Sequence, residues 1–147
     1  MELVIKHFKE LTTDELFEIY KLRTAVFVVE QNCPYQEVDD ADRVAYHLYL
    51  RDEDGIAAYL RVLPQGVAHE AAAIGRVISV KRRMGLGTKI VEAGIAAAKE
   101  KFHADCIEIG AQTYVRKLYE NVGFIQSGPE YVEDGIPHIP MILKFDP

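Results

Sequence analysis

Arg82-Arg83-Met84-Gly85-Leu86-Gly87 is the stretch whose residue types and spacing could do chemistry most directly. Glycines let the backbone turn its N–H groups toward one point, and a helix that starts there adds partial positive charge. The segment therefore has the makings of an anion cradle. Arg82 and Arg83 either add charge-assisted hydrogen bonds to a phosphate or pyrophosphate, or are solvated basic residues at a surface turn. A dinucleotide-binding fingerprint needs a further glycine where Ile90 stands, which argues against that ligand. A nucleoside-triphosphate loop needs a wider glycine spacing followed by Lys and Ser/Thr, and Gly87-Thr88-Lys89 has the wrong order. What remains is the pattern R-x-x-G-x-G between a strand and a helix.

The flanking elements fit that placement. Ala73–Val80 reads as a strand because Ile74, Val77, Ile78 and Val80 are β-branched, and Thr88–Lys101 reads as the following helix. Upstream, Leu3–His7 is the first strand. Thr12 with Glu15 forms a capping box, opening a helix that continues through Leu16, Ile19, Tyr20, Arg23 and Val26-Phe27. A polar, irregular segment runs from Glu30 to Asp42. Strands Ala45–Arg51 and Ile56–Leu63 follow, joined by Asp52-Glu53-Asp54-Gly55. Cys106–Ala111 is a buried strand, and Tyr114–Val122 is a short helix that Gly123 would cap. Closing strands Gln126–Glu133 and His138–Phe145 flank Asp134-Gly135-Ile136-Pro137. This order predicts an α/β layer fold on a mixed sheet. Phe8, Phe17, Phe27 and Phe102 fall at spacings that suit a core.

With 147 residues, 49% of them hydrophobic, the chain is expected to form one domain over 1–147. No apolar run approaches the ~18 residues that cross a bilayer, and no signal-peptide pattern opens the chain, so no membrane partner is expected. A net charge of −6 argues against nucleic acid. Cys33 and Cys106 are far apart in sequence and lack metal-ligand spacing, so no metal is expected, and free thiols in a reducing cytoplasm are.

A second motif extends the first. Arg116-Lys117-Leu118-Tyr119-Glu120-Asn121-Val122-Gly123-Phe124, taken with R-x-x-G-x-G, resembles the GNAT acetyltransferase superfamily. Arg23–Tyr35 and Asp134–Met141 resemble its ElaA-like branch, and the similarity runs from about Leu22 to Leu143. The resemblance implies a splayed, mixed central β-sheet flanked by helices, with acetyl-CoA as cosubstrate. It implies that the pantetheine arm pairs with the main chain of the strand ending at Val80, like an added strand, with Ile78 and Val80 as its partners and Ser79 in the same cofactor-binding set. The pyrophosphate would rest near Arg82, Arg83, Met84, Gly85, Leu86, Gly87 and Thr88, and Gln112 and Tyr119 complete the implied cofactor set. One departure is visible: the spacing from Arg76-Val77 to Arg82 is shorter than usual in the family.

The implied reaction is attack of a primary amine, on a small molecule or peptide, on the thioester carbonyl in a ternary complex. The amine must lose a proton, because a lysine-like ammonium has a pKa near ~10.4. Oxyanion stabilisation falls most simply to the N–H near Val80. Tyr119 matches the family's acid that protonates the departing thiolate; its alternative is packing and a hydrogen bond at a helix end. His138, His47, Glu30 and Glu108 are candidate bases, as is a water chain. Tyr35 and Tyr131 are candidates for an acceptor pocket. Glu37, Asp39, Asp40 and Asp42 form either a solvated acidic loop or a steering field for a cationic amine; they lack the pattern of a calcium loop. A non-catalytic acyl-CoA-binding module is the alternative to an enzyme, and open sheet edges would suit a homodimer.

Overall fold

The protein is described from a computed structural model covering residues 1–81 and 84–145. Thr12 caps helix α1 (Thr13–Arg23) by accepting from the Glu15 N–H, while the Glu15 carboxylate accepts from the Thr12 N–H, the reciprocal arrangement its sequence predicts. The helix does not stop at Arg23. It widens into a π-helical segment, Thr24–Glu30, that carries Phe27 into the core and ends at the mouth of a cleft.

Strands β1 (Glu2–His7), β2 (Tyr46–Asp52), β3 (Gly55–Leu63) and β4 (Ala72–Ser79) form an antiparallel run. Helix α2 (Leu86–Phe102) crosses over from β4 to β5 (Cys106–Gln112), which lies parallel to it. Helix α3 (Arg116–Asn121) leads to the short strands β6 (Ile125–Gln126) and β7 (Tyr131–Glu133), and both pair with β8 (Ile136–Lys144). The sheet order is β1-β2-β3-β4-β5-β8-β6, with β7 added on β8. The single closing strand expected over Gln126–Glu133 is thus two, interrupted at Gly128-Pro129, where proline cannot donate to a ladder.

The sheet buries both faces. Leu60, Val62, Ile74, Ile90, Val91, Ile107 and Met141 pack on the α2 side, and Ile19, Phe27, Tyr49, Tyr59 and Ile78 on the α1 side. Phe17 is a correction to the expected core: it is 64% exposed on α1, with the Lys21 ammonium 6.0 Å from its ring centroid. Both cysteines are free. Among the described residues no helix is long and apolar enough to cross a membrane.

Candidate active site

β4 and β5 pair only at Ala72↔Ile107 and Ala73↔Glu108 and then part company. The parting opens a cleft of about 1270 Å³ between Ile74–Val80 on one wall and Ile109, Gly110 and Gln112 on the other. β4 bends at this point. Arg76 stands in the left-handed region at φ 55°, and the register against β3 shifts from Arg61↔Gly75 to Tyr59↔Ile78, leaving Leu60 opposite both Arg76 and Val77.

The bulge decides which main-chain groups face the cleft. Val80 donates its N–H to the Ala57 carbonyl at 2.8 Å. By the alternation of the pleat, Ile78 shares that edge and Ser79 turns its N–H and C=O toward the splay. The expectation that Ile78 and Val80 offer their main chain to a ligand, and Val80 to an oxyanion, is corrected accordingly: those groups are held by β3. The side chains of Ile78, Ser79 and Val80 still line the cleft.

Below the splay, α2 begins at Gly85, whose φ of 69° is left-handed and whose missing Cβ leaves open space. Among the described residues no side chain caps this end, and the first intrahelical bond runs from Lys89 N–H to the Gly85 carbonyl. The N–H groups of Leu86, Gly87 and Thr88 thus have no intrahelical partner and can receive an anion, with the helix dipole behind them. Met84 is exposed beside them. Gly85→Ala is expected to cost about 1–2 kcal/mol through backbone strain alone, read as a lower urea midpoint, with Gly85→Asn losing less.

Tyr119 sits on α3 at the opposite lip. It is only 6% exposed and packs edge-on against Phe124, with ring centroids 5.9 Å apart. Its ring lines the cleft, and its hydroxyl makes no hydrogen bond among the described residues. Burial, with a smaller contribution from Tyr114, pushes its pKa well above the ordinary tyrosine value, so it stays a proton donor. Across the cleft, His138 lies opposite Gln112 in the β5–β8 register and stacks on Tyr131 with centroids 5.5 Å apart. Its Nδ1 donates to the Ile136 carbonyl at 2.7 Å. Because a carbonyl only accepts, Nδ1 carries the hydrogen of that bond, and Nε2 is the ring nitrogen left for another partner.

The N-terminal turn of α2, a splayed pair of strands and a buried tyrosine fall together in one cleft. The sequence model for the acetyltransferase (GNAT) domain matches residues 10–145. The chain belongs to the GNAT acetyltransferase family. A UPF0039 protein of Schizosaccharomyces pombe is 40% identical over 98% of this chain and 97% of its own. Protein ElaA of Escherichia coli is 36% identical over 92% and 91%, respectively. Its crystal structure superposes with a TM-score of 0.89 at 34% identity, covering 97% of this chain and 99% of that one. An acyl-CoA N-acyltransferase from Pseudomonas aeruginosa superposes equally well, with a TM-score of 0.89 at 37% identity over the same shares. The open eight-stranded mixed sheet is thus the GNAT fold, and acyl transfer from acyl-CoA is the chemistry of the family.

Within this GNAT domain the remaining candidates separate by position. Glu30 lines the cleft at the end of the π-helical segment, and Tyr35, Tyr131 and Gln112 line it as well. His47 does not. It is fully buried, accepting at Nδ1 from the Tyr59 hydroxyl (2.7 Å) and donating from Nε2 to the Asp42 carbonyl (3.0 Å). Burial outweighs the nearby Asp42 and lowers its pKa, so it is a neutral structural residue with no nitrogen to spare. Glu108 stands outside the cleft lining, accepting from the Ala71 N–H at 3.3 Å. Arg82 and Arg83 lie outside the described residues.

The acidic loop departs furthest from its reading. Glu37 and Asp42 are buried, not solvated. Arg23, with no exposed surface, binds Glu37 at 2.8 Å and Asp42 at 2.7 Å. Arg61 binds Asp39 at 2.7 Å and Asp42 at 2.9 Å, and Arg76 reaches both Glu37 and Asp39. Only Asp40 keeps a fully exposed side chain. The loop is therefore a buried ionic lattice that ties α1 to β3 and β4 and forms one wall of the cleft. Cys33 also lines the cleft, donating from Sγ to the Asp134 carbonyl at 3.4 Å.

Proposed function

We propose that this protein is an N-acetyltransferase that moves the acetyl group of acetyl-CoA to a primary amine of a small molecule or peptide by direct attack in a ternary complex. The observation that carries this reading is the meeting of the α2 N-terminus, an unpaired Ser79 N–H and a buried Tyr119 in one cleft. The pyrophosphate rests on the N–H groups of Leu86, Gly87 and Thr88, with Met84 and Gly85 forming the approach. The pantetheine arm lies along β4 and pairs with Ser79 as a strand would. Gln112 supports the arm from the facing wall.

The thioester carbonyl then lies near Ser79, whose N–H stabilises the oxyanion as it develops. His138 Nε2 accepts the proton from the amine, directly or through water, and Glu30, which also lines the cleft, serves as the second candidate base. Tyr119 protonates the departing thiolate. The acceptor enters between Tyr35, Tyr131 and the wall carrying Glu30, Glu133 and Asp134, whose carboxylates favour a protonated amine in encounter.

The deciding experiment follows thiol release from acetyl-CoA with a panel of primary amines. Acceleration by at least one amine, with stoichiometric N-acetyl product, is the expected outcome. Binding of CoA by calorimetry with no acceleration by any amine would replace the enzyme with a non-catalytic acyl-CoA-binding module.

A further inference from the structure

We propose that Arg76 is a positioning residue for acyl transfer: its guanidinium, anchored on Glu37, holds the β4 bulge that aims the Ser79 N–H into the cleft. The inference rests on the acyl-CoA reading of that cleft.

A bulge whose extra residue is left-handed ordinarily places glycine there, because a Cβ makes that backbone costly. Here the left-handed position is Arg76, although Gly75 stands next to it outside that region. Something must therefore hold the arginine in place. Its Nε contacts the Glu37 carboxylate, a terminal nitrogen donates to the Glu37 carbonyl at 2.8 Å, and Asp39 lies 3.5 Å away. The guanidinium also covers the Tyr35 ring at 5.7 Å. Glu37 is itself fixed, accepting from Nε of the fully buried Arg23 at 2.9 Å. The chain of contacts runs from α1 through Glu37 to the bend in β4.

The packing shows what that bend selects. Ile74 and Val77 both pack on the α2 side, three residues apart, whereas an unbroken strand returns to one face every second residue. Ile78 packs on the α1 side. Erasing the bulge would shift the following register by one residue, turning Ile78 out of its cluster and the Ser79 N–H back toward β3. The anion-binding end of α2 takes no part in this exchange. The pyrophosphate end of the ligand keeps its contacts and only the Ser79 pairing of the arm goes, so losing the clamp should impair the chemical step far more than CoA affinity.

Arg76→Met removes the clamp and keeps the Cβ strain; Arg76→Gly removes the clamp and the strain together. In thiol-release assays Arg76→Met is expected to lower kcat at least about tenfold, of the order lost with one weakened oxyanion donor. Its KM for acetyl-CoA and calorimetric Kd for CoA should rise by no more than about threefold, since α2 is untouched and only the modest net weight of the Ser79 pairing is lost. Arg76→Gly should regain most of the lost kcat, because glycine adopts the bend unaided. Equal losses in both variants would overturn the inference, assigning the guanidinium to direct substrate contact. An unchanged kcat in Arg76→Met, or a CoA Kd that rises in step with the loss, would overturn it as well.

An activity-free readout keeps the inference separate from the reading beneath it. In wild type, acetyl-CoA should shift the Ser79 amide resonance. The shift should vanish in Arg76→Met and return in Arg76→Gly; its persistence in Arg76→Met overturns the inference even if no acceptor amine is ever found. Failure of wild type to bind CoA at all would instead defeat the acyl-CoA reading, and the inference with it.

Discussion

Tyr119→Phe is expected to lower kcat by about 10²-fold or more, the usual weight of a positioned general acid, with little change in KM for acetyl-CoA. The substitution keeps the ring and hence the edge-on contact with Phe124, so thermal stability should hold. What disappears is a hydroxyl at the α3 lip of the cleft that burial keeps protonated. The expected pH profile makes the test sharper. A free thiol has a pKa around 8.5, so the thiolate leaves with less need of a proton as pH rises past that value. The deficit of the variant should therefore shrink at alkaline pH, and a deficit that stays constant across the range would reassign Tyr119 to packing. Steady-state thiol release from below neutrality to about two units above it reads both features.

Asp42→Ala is expected to destabilise the fold by about 3–5 kcal/mol, because it takes one of their two carboxylate partners from two buried guanidinium groups at once. Arg23 and Arg61 both lean on this carboxylate, and it is 1% exposed. Urea denaturation monitored by tyrosine fluorescence measures the loss. Acid should reproduce part of it. Burial alone would raise the pKa of Asp42, but hydrogen bonds and charge from Arg23 and Arg61 prevail and hold it below the usual carboxylate range. Asp39 is lowered for the same kind of reason by Arg61 and Arg76, against its own partial burial. Glu15 is driven down to about 2: burial opposes this, and the Thr12 N–H, the Tyr49 hydroxyl and Lys6 outweigh it. A carboxylate with a depressed folded-state pKa contributes stability above its unfolded pKa, and that contribution fades as pH falls through the folded value. The native protein should thus hold its urea midpoint near neutrality and lose it below about pH 4, and Asp42→Ala should flatten that decline.

The elements that position the cleft were legible where local chemistry dictates them. The Thr12–Glu15 box, the glycine turn before α2 and the left-handed Gly123 after α3 are each decided within a few residues, and the fold uses them so. The ionic lattice was not legible, because its members are distant in sequence: Arg23 meets Asp42 nineteen positions on, and Arg76 meets Glu37 thirty-nine positions back. A string of acidic residues between a helix and a strand reads as solvated unless the cations that will bury it are known. Three arginines at otherwise apolar helix or strand positions were the available signal, since arginine seldom enters a core without a partner. The direction of the Val80 N–H was misread for a related reason. One extra residue in β4 inverts the edge that each later amide faces, and an arginine in the left-handed position carries no local signal of a bulge.

Because β4 and β5 are laced together only at Ala72↔Ile107 and Ala73↔Glu108, the protein carries inside itself what most β-proteins hide at their rims: two bare strand edges. Such edges invite pairing with other chains. A thioester lying along β4 would act as a missing strand and shield one of them, and at a hundred times its Kd it would add about 2.7 kcal/mol to the folded state. The resistance of the protein to aggregation, and its lifetime in a cell, would then rise and fall with the acyl-CoA supply.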